Sequence, residues 1–172
     1  MVVDGWESMG TDESTTFRAR AGRARYVFAV LSGMARSVRF QDIDAAGILY
    51  YPRAFEYFHD AYLAHLAAHG IDVPAVLRDR TWGAPLAHAE ADFRAPMYFG
   101  DPIVVEIEGA EVGRSSLSVR YRVRADSRET DPKVYCSGKT VHVFLDVTTF
   151  RPCDLPGDVR AAFSEPTAVP AV

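Results

Sequence analysis

The chain has little of what would set it apart from ordinary globular proteins. Only two cysteines, Cys136 and Cys153, occur in 172 residues, which excludes a disulfide-stapled scaffold. They can pair with each other, but the expectation is two reduced thiols in a cytoplasmic protein. Neither has a histidine at ligand spacing, so no metal site is expected. A basic block is missing: 19 Lys and Arg against 23 Asp and Glu leave a net charge of −4. That balance argues against a nucleic-acid partner. No apolar run approaches the roughly 18 residues of a membrane span, so no membrane partner is expected either. Internal repeats and low-complexity tracts are also lacking.

What is present fits one domain with a real core. Apolar residues make up 48% and charged residues 24%, the usual globular balance. Residues 1–25 read as a flexible N-terminal extension, because Met1 to Ser14 is polar and acidic. Arg18, Arg20, Arg23 and Arg25 then precede the apolar run from Tyr26 to Leu31. Basic-then-apolar order imitates a signal peptide, but the run is shorter than the roughly 7–15 residues such a core needs. Its β-branched and aromatic content favours a strand. Residues 26–163 form the domain and 164–172 a loose tail.

Two apolar stretches, 26–31 and 34–40, flank Ser32-Gly33, which marks either a two-residue hairpin turn or a bulge. From Pro52 to Gly70 the pattern turns helical. Proline suits a first helical position and Gly70, with His69 just inside it, suits the C-terminal cap. At 100° per residue Phe55, Phe58, Tyr62, Leu66 and His69 share one side, widened by Ala54, Tyr57, Ala61 and His65. Arg53, Glu56 and Asp60 lie opposite. A face this wide suits a helix enclosed by a curved sheet. A short helix over 72–80 follows. Strands are then expected over 85–94, 103–112, 116–125 and 134–147, the third with strict alternation of Leu117, Val119, Tyr121 and Val123. A short helix within 152–163 closes the domain. The order gives an α+β fold with one long helix against one antiparallel sheet.

The segment from Val38 to Pro52 carries the chemistry. It sets the carboxylate of Asp44 on a glycine-bearing turn a few residues before a helix N-terminus, beside unpaired backbone N–H groups. Attack on an acyl carbonyl needs that combination. The bland alternative is a turn or helix-cap aspartate, a common use of Asp. Gly47 has a backbone role, permitting close approach of chain or substrate.

Asp42-Ile-Asp-Ala-Ala-Gly-Ile-Leu-Tyr-Tyr-Pro52, His59-Asp-Ala-Tyr62, the stretch Ala84 to Pro96 and Gly100-Asp101 together resemble the hotdog-fold acyl-CoA thioesterases. Within them the likeness is to the 4-hydroxybenzoyl-CoA and 1,4-dihydroxy-2-naphthoyl-CoA hydrolases, and it spans about Val38 to Leu155. The resemblance implies an α+β hotdog domain of about five curved antiparallel strands around one long central helix. It implies hydrolysis of an acyl-CoA, aromatic or hydroxyaromatic, without a cofactor, since coenzyme A is part of the substrate. Asp44 becomes the nucleophile or general base, and the Tyr51 backbone amide polarises the carbonyl. A helix N-terminus suits that task, with a partial positive charge of roughly half an elementary charge. Asp42 is then a structural partner able to bond turn amides.

Some relatives place a His just before the helix; here that position is Tyr51, so a histidine-assisted variant is not expected. Glu56 is a rival acid, because another branch of the fold carries its catalytic Glu on this helix. His59 either reaches a ring hydroxyl or fills space, and Tyr50 either lines an aryl pocket or belongs to the core. Arg114, Ser115 and Ser116, at a strand turn, are candidates for the coenzyme A phosphates or are a polar hairpin tip. The resemblance also implies a homo-oligomer, a dimer or dimer of dimers with its sites at the subunit boundary. Rival readings are a hydratase or dehydratase, which would want a His or Glu acid–base pair in the groove, a thioesterase for aliphatic or carrier-protein substrates, and a non-catalytic acyl-CoA-binding protein.

Overall fold

The computed structural model describes residues 25–164, so nearly all of the expected N-terminal extension and C-terminal tail lies outside the described residues. Five strands, β1 (Arg25–Ser37), β2 (Leu86–Phe93), β3 (Pro102–Val112), β4 (Ser116–Ala125) and β5 (Val134–Val143), form one antiparallel sheet in the order β1-β3-β4-β5-β2. Three helices accompany it: α1 (Arg53–Ala68), α2 (Val73–Asp79) and α3 (Gly157–Ala162), of 16, 7 and 6 residues.

Ser32-Gly33 belongs to a bulged strand and not to a hairpin. Pairing advances from Phe28 to Ser32 on β1 while β3 moves only from Gly109 to Ile107, which is how a bulge absorbs extra residues. Beyond it the strand stays in register to Ser37, opposite Pro102. The last strand is shorter than its composition suggests. β5 ends at Val143 because Asp146 folds the chain back, its carboxylate accepting from the Thr148 and Thr149 amides at 2.9 and 2.7 Å.

The alternation in β4 places Leu117, Val119, Tyr121 and Val123 in the core. Against that face lies α1, whose buried stripe is Ala54, Tyr57, Phe58, Ala61, Tyr62, His65 and Leu66. Phe55 and His69 sit at its half-buried margins, so the face is rotated slightly from the one that periodicity alone centres. The C-terminal end is as expected. Gly70 is left-handed at φ +78°, and the Ile71 amide reaches back to Leu66 O at 3.0 Å. Phe58 stacks on Tyr121 (ring centroids 4.7 Å apart) and Tyr62 on His142 (4.6 Å).

Two buried histidines give the core a pH dependence. His65 Nε2 donates to Ala162 O (2.9 Å) and its Nδ1 accepts from Ser32 Oγ (3.1 Å), an arrangement for the neutral ring. His142 donates to Ala84 O at 3.3 Å. Burial lowers both pKa values. A base whose folded pKa is depressed binds fewer protons folded than unfolded. Stability is therefore fully present above the ordinary value near 6.5 and declines as pH falls below it. The urea midpoint should drop between pH 7 and 5.5, and drop less in His65→Gln. A midpoint constant over that range in both proteins would contradict the assignment.

Candidate active site

The chain leaves β1, makes a 3-10 turn over Phe40–Asp42, and enters the excursion 43–49 before α1. Ile43 bridges Leu49 across the neck of this loop, and the Asp44 amide donates to Ile48 O at 2.9 Å. Gly47 makes the reversal at φ +77°, a left-handed value that strains residues with a side chain. A Cβ there would meet nothing within 4 Å. The backbone conformation requires glycine here, and no other described part of the chain approaches the position.

Asp44 is half-buried near the tip. One carboxylate oxygen accepts from the Ala46 amide at 2.8 Å, a turn bond, while the other has no partner among the described residues. Asp44 does not cap α1, because Pro52 holds the N-cap position without any side-chain cap. Along the helix start the Tyr50 amide donates to Asp42 O (2.8 Å). The Arg53, Ala54 and Phe55 amides donate to Tyr50, Tyr51 and Pro52 oxygens. Pro52 has no N–H. The Tyr51 amide is the one left without a backbone acceptor among the described residues.

Asp44 and Tyr51 line the same cleft, about 490 Å³, with Ile48 and Leu49 from the loop and the segment 93–97 at the end of β2. The Leu49 amide holds the two walls together through Met97 O at 2.8 Å. Arg94 is part of this wall and is exposed. Sequence reasoning gave it no role, although it lies inside the 84–96 stretch that carried the resemblance. Tyr50 (46% exposed) and Tyr51 (61%) meet edge to face at the mouth of α1, so Tyr50 is not a core residue.

His59, exposed on α1, lines a second pocket of about 320 Å³ together with Phe55, Leu86, Ala89, Tyr121, Thr140 and His142. Glu56, the rival acid, is held by Arg53 Nη1 at 2.6 Å on the exposed side. Arg114, Ser115 and Ser116 form the turn between β3 and β4, closed by Gly113 N to Ser116 O at 2.8 Å, and line neither pocket. Arg114 pairs with Asp154 at 2.6 Å, both side chains nearly three-quarters exposed.

Asp42 is a structural residue, as expected. Its carboxylate is held chiefly by side chains, with the Arg39 main chain a lesser partner. It accepts from Arg39 Nε and Nη2 (2.8 and 3.0 Å) and from the buried Tyr57 hydroxyl (2.7 Å), with Arg53 Nε at 3.6 Å. Burial would raise its pKa, but the hydrogen bonds from Arg39 and Tyr57 and the Arg39 charge outweigh burial and hold it below the usual carboxylate range. Among the described residues no three His, Cys, Asp or Glu side chains are grouped to hold a metal ion, and no helix is long and apolar enough to cross a membrane.

Comparison with known proteins agrees with this architecture. The family model of the thioesterase-like superfamily matches residues 38–163. A 1,4-dihydroxy-2-naphthoyl-CoA hydrolase of Synechococcus elongatus is 33% identical over 122 residues, 70% of this chain and 86% of the relative. Among solved structures, a 1,4-dihydroxy-2-naphthoyl-CoA thioesterase from Synechocystis superposes with a TM-score of 0.72 at 22% identity, covering 77% of this chain and 95% of that one. A gentisyl-coenzyme A thioesterase gives 0.66 at 25% identity, covering 78% and 100%. With the family model matching most of its length and a five-stranded antiparallel sheet like that of hotdog thioesterases, the chain belongs to the thioesterase-like superfamily and is a thioester hydrolase.

Proposed function

We propose that the chain hydrolyses an acyl-CoA with an aromatic or hydroxyaromatic acyl group to the free acid and coenzyme A, with Asp44 and the Tyr51 amide as its working groups. The observation that carries this reading is that Asp44, with one carboxylate oxygen free of described partners, and Tyr51, whose amide has no backbone acceptor among the described residues, line one cleft. Thioester carbonyls are already activated electrophiles, so the reaction asks for no metal or cofactor. Asp44 attacks the carbonyl carbon or takes a proton from water that attacks it. Charge develops on the carbonyl oxygen, and the Tyr51 amide donates to it. One such donor is worth about 3–4 kcal/mol of barrier in other acyl-transfer enzymes. The tetrahedral species then expels coenzyme A thiolate, which gives the free acid directly in the water route and, in the attack route, a mixed anhydride on Asp44 that water hydrolyses to the free acid.

The choice of acyl group rests on the relatives, which are named for aromatic thioesters, and on the ground between α1 and β2. Phe55 and the small Ala89 supply apolar wall there, and the Tyr121 and Thr140 hydroxyls (3.0 Å apart), His142 and His59 supply polar groups. A flat ring bearing a hydroxyl suits such a lining. In this reading α1 is the central helix about which the sheet curves, and Tyr50 and His59 face the acyl group. The protein works as a cytoplasmic homodimer or dimer of dimers. β2, a sheet edge exposed along nearly its whole length, supports that assembly because such an edge invites a further strand.

Thiol release from benzoyl-, hydroxybenzoyl-, dihydroxynaphthoyl- and short aliphatic-CoA tests the proposal. Aryl thioesters should give the higher kcat/KM. Preference for aliphatic thioesters would overturn the acyl assignment, and saturable binding without any release would overturn catalysis. For the phosphates of coenzyme A we propose Arg114 with Ser115 and Ser116. Arg114→Ala should raise KM with little change in kcat, the pattern of lost uniform binding. Asp154→Asn, which frees the guanidinium, should lower KM. KM unmoved in both would remove Arg114 from the site.

A further inference from the structure

Asp42 is the least exposed charged side chain among the described residues, at 0%. A buried charge is a poor way to gain stability, since an apolar side chain of similar volume does as well or better. Its contacts show another use. The two Arg39 nitrogens grip it from the turn before the loop, Arg53 approaches from the first turn of α1, and the Tyr57 hydroxyl reaches it from the next turn. The main chain of the same residue closes the far side: Asp42 N donates to Arg39 O at 3.0 Å, and Asp42 O accepts from Tyr50 N at 2.8 Å. The excursion 43–49 thus departs from and returns to one fixed point. Asp44 lies two residues beyond that point, and Tyr51 follows the residue bonded to it.

We propose that Asp42 is a positioning residue, clamping the base of the 43–49 loop to the first two turns of α1 and so setting the Asp44 carboxylate relative to the Tyr51 amide. The inference rests on the reading that those two groups carry thioester hydrolysis. None of Arg39, Asp42, Arg53 and Tyr57 lines either pocket, so loss of the clamp acts on the reacting geometry and not on substrate affinity. Misplacement of reacting groups by about 1 Å costs on the order of a hundredfold in rate.

The test compares steady-state thiol release by wild type, Asp44→Asn, Asp42→Asn and Tyr57→Phe, with circular dichroism as the check on folding. Asp42→Asn is expected to lose about tenfold to a hundredfold in kcat with KM within about twofold, equally for aryl and aliphatic substrates. Tyr57→Phe, which removes one bond to the carboxylate, should lose about threefold to tenfold in the same way. A folded Asp42→Asn with wild-type kcat, beside an inactive Asp44→Asn, overturns the clamp and leaves the proposed function standing. So does a loss that falls on KM alone. If Asp42→Asn does not fold, Tyr57→Phe decides by the same criteria. A wild type that releases no thiol overturns the proposed function itself.

Discussion

Asp44→Asn should lower kcat for thioester hydrolysis at least about a hundredfold, the scale expected for loss of a nucleophile or general base. The substitution is narrow in its effect on structure. The amide oxygen of Asn can still accept from the Ala46 N–H, the bond that now holds one carboxylate oxygen at 2.8 Å, and the loop bonds from Asp44 N and O are main-chain. What disappears is the anionic oxygen without a described partner. The far-ultraviolet spectrum and melting temperature should therefore match wild type while thiol release collapses. Turnover within a few-fold of wild type would remove Asp44 from the mechanism. Hydrolysis in ¹⁸O-labelled water under single-turnover conditions then separates the two routes. Label found in the Asp44 carboxylate after one turnover identifies a mixed anhydride that water has opened at the aspartyl carbon, a species that water activation by Asp44 does not form.

The largest expected effect on stability is at Gly138, in the middle of β5. A methyl group there would overlap the Phe58 ring at Cε2, lie 2.6 Å from its Cζ and stand 2.8 Å from the Glu90 carbonyl oxygen on β2. Neither neighbour can yield easily. Phe58 is fully buried and stacked on Tyr121 with an interplanar angle of 13°, and the Glu90 oxygen is sheet backbone. Gly138→Ala should cost about 3 kcal/mol, the upper end of ordinary overpacking. At roughly 2–4 °C per kcal/mol for a chain of this size, the melting temperature should fall by about 6–12 °C. Phe58→Leu in the same chain should recover part of the loss, as contacting sites do in a double-mutant cycle. A melting temperature within about 2 °C of wild type in Gly138→Ala would show that the helix-to-sheet approach is looser than described.

What could be read from the sequence was what short-range physics decides. The alternation in β4 needs only the pleat, the end of α1 needs only Gly70, and the Gly47 turn needs only a residue tolerant of positive φ. What could not be read depends on partners far along the chain. Whether Ser32-Gly33 turns or bulges is settled by pairing with β3, about 75 residues on. The buried face of α1 is centred by Gly138 and Tyr121, which take Phe58 and leave Phe55 at the margin. Arg114 meets Asp154, and Asp42 meets the Tyr57 hydroxyl, through folds of the chain that no local pattern encodes. The cleft itself joins 44–51 to 93–97; both halves touch stretches that carried the resemblance, but their meeting is not encoded in either one.

The fate of the two sulfhydryls bears on how catalysis by this protein is to be followed. Burial raises the Cys136 thiol to about 12, so at neutral pH it carries almost no thiolate and should ignore a disulfide-exchange reagent. Only Cys153, half-buried and unpaired, is left to consume the dye that reports liberated coenzyme A. Its contribution is a single stoichiometric step at the outset, set apart from turnover by its failure to continue, and Cys153→Ser should abolish it.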